Sequence, residues 1–230
     1  MDLSKSDYML FLKHPAWLWL KKHQKELLPP VDDNTQALFD SGHSFEEYAE
    51  QIFDGNVLKL GFDISIPNDY DNLLSKTEEI LKNPPQFLMQ ARFKVGRLTF
   101  ICDVIEFIGN NQINLYEIKS STKVKVEHYY DLAFQVEVLE QLNYKVNQIF
   151  VVYVNNRFVR HGQIDANQLV IKSDVTEHVR HLNKVTAHQI KKALKVMDSY
   201  ERPDLNPIYC RLNSFDEWMK IYQAIEPFDD

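Results

Sequence analysis

The chain has 230 residues, 44% hydrophobic and 26% charged, with 14 Phe, 11 Tyr and 3 Trp, a composition that supplies an ordinary core and argues against disorder. A formal net charge of −7 excludes the usual basic nucleic-acid binder. Cys102 and Cys210 are its 2 cysteines and form no CxxC pair, which excludes a disulfide framework or a structural zinc. Met1-Asp2-Leu3-Ser4-Lys5 lacks a basic segment leading into an apolar run, so no signal peptide is predicted. No apolar stretch is long enough to span a bilayer. These features predict a cytoplasmic, soluble protein with no membrane association.

Residues 4–23 read as a helix that Pro15 kinks or splits, and Pro29-Pro30 ends the segment. Residues 34–53 read as a second helical region, interrupted near Gly42, with Phe45, Tyr48, Ala49, Ile52 and Phe53 at helical spacing. Val57–Leu60 predicts a strand and 69–82 a helix that stops before Pro84-Pro85. Residues 86–94, 97–108 and 112–119 are β-rich. Gly96 separates the first two, and Gly109-Asn110-Asn111 signals a hairpin between the second and third. Helix returns over 124–143, a buried strand over 148–154, a short strand pair over 157–171, and helices over 175–199 and 214–224. The expected fold class is α/β: one domain over 1–230, with a mixed β-sheet flanked by helices and helical additions at both termini.

The chemistry concentrates in two segments joined by that hairpin, Ile101-Cys102-Asp103-Val104-Ile105 and Leu115-Tyr116-Glu117-Ile118-Lys119-Ser120-Ser121. Side chains alternate along a strand, so Glu117 and Lys119 share a face while Ile118 points into packing and keeps its carbonyl near the site. The hairpin brings the Asp103 strand alongside. Two carboxylates and a backbone carbonyl are hard oxygen ligands of the kind that suit Mg²⁺. A lysine beside them is placed to orient or deprotonate an attacking water, or to stabilise a transition state at phosphorus. From spacing alone, a cross-strand ion pair at the surface competes with this reading.

The order of these residues resembles the PD-(D/E)XK nuclease superfamily, in its RecB and Cas4-like exonuclease branch. Leu3-Ser4-Lys5-Ser6-Asp7-Tyr8, His14-Pro15-Ala16-Trp17-Leu18-Trp19, Phe39-Asp40-Ser41-Gly42-His43, Glu117-Ile118-Lys119-Ser120-Ser121-Thr122 and Asp131-Leu132-Ala133-Phe134-Gln135 are similar to the Cas4-like domain of a bacterial family of uncharacterised proteins, the domain of unknown function 2779. The resemblance runs from about residue 3 to about residue 154 and leaves 155–230 as a helical extension.

The resemblance implies a restriction-endonuclease-like fold and a metal-dependent nuclease that hydrolyses DNA with free ends or single strands. Its expected cofactor is Mg²⁺ or Mn²⁺. By the same resemblance Asp103 and Glu117 are metal ligands, with the Ile118 carbonyl. Lys119 is the catalytic lysine, and Gln135 holds the lysine or a phosphate. Glu47 is the expected helical acid, with His43 one turn before it as a further ligand. A capping-box role for Glu47 with Ser44, and a helix-start role for His43, remain open. Lys123, Lys125 and His128 are expected to contact backbone phosphates. Many Cas4-like nucleases hold an iron–sulfur cluster on four cysteines. Here His14 stands where the first would precede Pro15 and only Cys210 remains near the C-terminus, so no cluster is expected. Aromatic packing around Trp17, Trp19 and Trp218 is expected to clamp the two ends instead.

Charge is unevenly spread. Residues 32–54 carry acids and no Lys or Arg, and residues 178–195 carry Arg180, Lys184, Lys191, Lys192 and Lys195 and no acid. The acidic helical region favours an alternative function, a catalytically inactive nuclease-fold module that binds nucleic acid or a protein. The intact Asp103, Glu117 and Lys119 oppose it.

Overall fold

The computed structural model describes residues 1–30 and 42–226. The expected helix over 4–23 is two helices, α1 (Lys5–Lys13) and α2 (Pro15–His23), hinged where Pro15 takes the first position of α2 and His14 caps it. A helix over 42–49, α3, follows; the expected start of this region at 34 lies outside the described residues. Then come β2 (Val57–Lys59), α4 (Asp69–Ile80), β3 (Phe87–Met89), β4 (Arg92–Val95), β5 (Leu98–Ile101), β6 (Val104–Gly109), β7 (Gln112–Lys119), α5 (Val126–Gln141) and β8 (Lys145–Val154). The chain ends with α6 (Ala166–Leu169), β9 (Val170–Asp174), α7 (Thr176–Asp198) and α8 (Phe215–Ile225). A two-residue strand at Leu3–Ser4, β1, precedes α1.

Six strands form one mixed sheet in the order β2-β3-β6-β7-β8-β9, and β1-β5-β4 form a second of three. The β6–β7 hairpin turns through Asn110 and Asn111, both at positive φ, as a two-residue turn between twisted strands requires. The parallel pair β7–β8 is connected through α5, the crossover that parallel strands need. Helices cover both sheet faces, as expected for this fold class. On one face Ile105, Ile113, Leu115, Ile149 and Val151 pack with residues of α1, α5 and α7. On the other Met89, Val104, Tyr116, Ile118, Phe150 and Val152 pack with Phe45 and Ala49 of α3. This division follows the period-two alternation of β7 and β8.

Two expectations differ from the structure. The β-rich runs 86–94 and 97–108 are each broken, at Gln90–Ala91 and at Cys102–Asp103. Met89 pairs with Val104, and Arg92 with Ile101, so one hairpin register continues through the break. The ladder is pinned there by Gln90 N–H to Asp103 O at 3.2 Å and Cys102 N–H to Ala91 O at 3.0 Å. Gln90 takes φ +53°, so the hairpin bends as it passes from the small sheet into the large one. The strand pair expected over 157–171 is instead a loop, the short α6 and β9. Asp165 caps α6 by accepting from Asn167 N–H at 3.0 Å, which turns the chain before a strand can form.

The termini meet through aromatic packing. The His14 ring stacks on Trp218 with centroids 3.7 Å apart, and both residues are buried. Arg211 N–H and Ser214 Oγ each donate to Lys13 O at 2.9 Å. Trp17 and Trp19 join the same cluster with Leu205 and Ile221.

Candidate functional site

The site lies where the bent hairpin passes between the sheets. The antiparallel pairing of β6 and β7 stops at Val104 opposite Tyr116. One step further along that register Asp103 stands opposite Glu117, so two carboxylates face each other at the end of the ladder. Asp103 Oδ2 takes the place of a ladder acceptor and receives Ile118 N–H at 2.7 Å. Asp103 thus belongs neither to β5 nor to β6: the break in the strand frees its side chain.

Glu117 and Lys119 follow Leu115 on the face covered by α5, so residues of that helix reach them. Lys119 Nζ donates to Glu117 Oε1 at 2.6 Å and to Asp131 Oδ2 at 2.9 Å. Gln135, one turn beyond Asp131, donates from Nε2 to Glu117 Oε2 at 2.6 Å and to Asp131 Oδ1 at 3.0 Å. The two carboxylates fix the orientation of that amide, since its oxygen would repel them. Its Oε1 is buried with no hydrogen-bond partner among the described residues. Gln135 therefore holds the acids Glu117 and Asp131; it makes no bond to the lysine.

A cation absent from the expected set completes the group. Lys5, in the first turn of α1, places Nζ 3.0 Å from Glu117 Oε1 and 3.4 Å from Asp131 Oδ1. Residue 5 is 112 positions from Glu117; it lies within the Leu3–Tyr8 segment that carries the resemblance, but that segment assigns it no role at the site. The fields of this cluster oppose one another. Burial and the Glu117 charge raise the Asp103 carboxyl well above the usual carboxylate range, against the pull of Lys5 and Lys119. Burial also penalises ionised Asp131, but Lys119 and Lys5 overcome it and hold that carboxyl well below its usual range. Both lysines remain firmly protonated: burial disfavours their charge, and Asp131 and Glu117 outweigh it.

The helical acid needs correction. Glu47, the expected residue, is exposed on α3, as is His43 with a side chain 79% accessible. Glu46 faces the cluster. Gln90, at the hairpin bend, donates to Glu46 Oε1. Burial and then Glu50 raise the Glu46 carboxyl, and Glu117 adds to the effect. Phe45 and Ala49 are the buried positions of α3. At 3.6 residues per turn this phase puts Glu47 more than half a turn from Phe45, a signal present in the sequence.

The three residues expected to bind phosphate separate. Lys123 and Lys125 are exposed on the loop before α5. His128 is buried beneath that loop and accepts Lys125 N–H on Nδ1 at 3.2 Å. Burial and the Lys119 charge push it down to about 4, which favours the neutral imidazole at the start of α5.

Among the described residues, no three His, Cys, Asp or Glu side chains converge closely enough to hold an ion by themselves. The donor chemistry nonetheless fits a hard divalent cation. Asp103, Glu117 and Glu46 supply hard oxygen donors; burial and Glu117 raise the Asp103 carboxyl against the pull of Lys5 and Lys119, and burial, Glu50 and Glu117 raise the Glu46 carboxyl against Lys59 and His43. The two cysteines lie in different hydrophobic clusters, Cys102 under the site and Cys210 beside Trp218.

No family model matches the chain, and no curated protein matches it. Two solved structures resemble it distantly. One, described as SSO0001, is 14% identical over 85% of this chain and 97% of its own, with a TM-score of 0.34. The other, a phage-related exonuclease from Haemophilus somnus 129PT, is 11% identical over 86% of this chain and 94% of its own, also with a TM-score of 0.34.

Proposed function

We propose that this chain is a metal-dependent nuclease of the PD-(D/E)XK type that hydrolyses phosphodiester bonds in DNA, acting on ends or single strands. The observation that carries the reading is the end of the β6–β7 ladder. There Asp103 and Glu117 face each other, with Lys119 two residues beyond Glu117 on the same face. A cross-strand ion pair at the surface would not need Glu117 to be 1% exposed, nor a glutamine and an aspartate from α5 to hold it.

In this reading Asp103 and Glu117 hold Mg²⁺ or Mn²⁺, with the Ile118 carbonyl and Glu46 as further oxygens. The ion supplies charge neutralisation at the phosphoryl group and a more acidic water. Lys119, kept charged by Glu117 and Asp131, orients water or stabilises the charge that develops at phosphorus. Asp131 and Gln135 fix Lys119 and Glu117 so that neither reorganises during the reaction. The exposed Lys123 and Lys125 are left to steer the DNA backbone.

The test is cleavage of labelled single- and double-stranded DNA in Mg²⁺ or Mn²⁺ by the parent, Asp103→Ala and Lys119→Ala. Cleavage by the parent and loss in both variants is expected. Equal cleavage by variant and parent removes the site. DNA binding with no cleavage under any condition favours the inactive binding module.

A further inference from the structure

Lys5 is held in place by strand pairing before it and by a capped helix turn around it. Leu3 N–H bonds to Arg97 O at 2.8 Å, and Leu3–Ser4 pairs in parallel with Leu98–Thr99. Ser4 and Asp7 exchange capping-box hydrogen bonds at 3.1 Å, fixing the first turn of α1 around Lys5. Asp7 is itself clamped by Lys21 at 2.8 Å and Lys22 at 2.6 Å. Leu3, Asp7 and Tyr8 are all buried. The result is a lysine delivered across 112 residues of sequence to an oxygen that Lys119 already contacts.

Lys119 bridges Glu117 and Asp131 at 2.6 and 2.9 Å. Lys5 reaches the same Glu117 oxygen at 3.0 Å and the other Asp131 oxygen at 3.4 Å, so it is the more loosely engaged of the two. Each ammonium has three donors and directs two of them at these acids. The side chains of Lys5 and Lys119 are 18% and 27% exposed, against 1% and 9% for Glu117 and Asp131, so the two lysines are the more accessible members of the cluster.

We propose that Lys5 is a second phosphate-binding lysine of the site, its ammonium contacting the DNA backbone beside the phosphate that Lys119 serves. This rests on the nuclease reading above. The rival is a counter-charge that only balances Glu117 and Asp131. The two differ in counterion release: a phosphate contact displaces a counterion from DNA and a buried counter-charge does not.

The experiment measures affinity for fluorescein-labelled single-stranded and blunt duplex oligonucleotides in Ca²⁺ across a salt series. It compares the full-length parent with Lys5→Met, Lys5→Gln and Lys5→Arg, each checked by thermal unfolding. Lys5→Gln retains a donor for Glu117, which keeps the test readable if Lys5→Met does not fold. The expected result for Met and Gln is a loss of about tenfold in affinity at low salt, with a log–log salt slope shallower by about 0.7 on single strands and about 0.9 on duplex. Lys5→Arg keeps the parent slope. An unchanged slope and affinity in Lys5→Gln overturns the proposal and leaves the counter-charge. Mn²⁺-dependent cleavage by a parent whose slope Lys5→Gln does not alter defeats the Lys5 proposal alone. A shallower slope in a protein that cleaves nothing defeats hydrolysis alone.

Discussion

The two ends of α1 are built on opposite physical principles. At its start Lys5 enters a buried cluster of charges; about 13 Å along, His14 ends the helix in a stack against Trp218. The first end gathers Asp103, Glu117 and Asp131 around two lysines, and burying such charges costs more than apolar packing in the same volume. The second buries aromatic surface and satisfies a neutral imidazole, with Ala16 N–H donating to Nδ1 at 3.2 Å and Nε2 3.1 Å from Asn206 O. One end holds charges in an arrangement that stability alone would not select, and the other supplies stability. Perturbing them should therefore separate function from folding.

The largest expected effect is on function. Asp103→Asn should lower cleavage by about 10²–10³-fold, measured as kcat/KM on single-stranded DNA. Because burial and Glu117 raise the Asp103 carboxyl, its ionised form weighs against the folded state at neutral pH. The same variant should thus unfold at an equal or higher temperature than the parent. At the other end Trp218→Ala should cost about 3–5 kcal/mol in denaturant unfolding and leave the cleavage rate of the remaining folded protein unchanged. If Trp218→Ala instead abolished cleavage in folded protein, the contrast between the two ends would break.

Acid should expose both ends. His128 is held near 4 by burial and Lys119, whereas an unfolded histidine titrates near ~6.5. Its neutral form is shared by both states above that range. As pH falls from about 6.5 towards 4 the unfolded chain takes up a proton that the folded chain refuses, and stability falls by on the order of 2–3 kcal/mol. Burial lowers His14 in the same direction. His128→Gln should flatten part of this decline in a pH series of unfolding midpoints. Asp7 acts lower. Burial disfavours its charge, but Lys21 and Lys22 outweigh it and bring it to about 2. Its contribution, about 2 kcal/mol, is fully present above the ordinary carboxylate range and disappears as pH falls towards 2. Asp7→Asn should remove it at neutral pH. The smallest effect separates neighbours: Glu46→Gln should weaken Mn²⁺-dependent cleavage, while Glu47→Gln should change neither cleavage nor stability by more than about 0.5 kcal/mol.

The helices and most strands are legible in the sequence because their periods are strong: β7 over 112–119 and α5 within 124–143 follow directly from apolar spacing. The bend at Gln90 and Asp103 is not, since the apolar runs on either side are continuous and no glycine or proline marks the break. Asp103 consequently reads as a strand residue, although its placement depends on leaving the strand. The set Asp103, Glu117, Lys119 and Gln135 stands out through order along the chain and is brought together in space. Glu46 is mistaken for its neighbour through helical phase alone, and Phe45 and Ala49 carry the correction. Lys5 lies in a segment that the resemblance includes, but its partner escapes because a contact over 112 residues has no local signature.

The most direct test of the central claim is a calorimetric titration of Mn²⁺ into the parent and into Asp103→Asn. A site built from Asp103 and Glu117 predicts binding by the parent that weakens at least about tenfold in the variant. Equal binding by both proteins, or none by the parent, would contradict it.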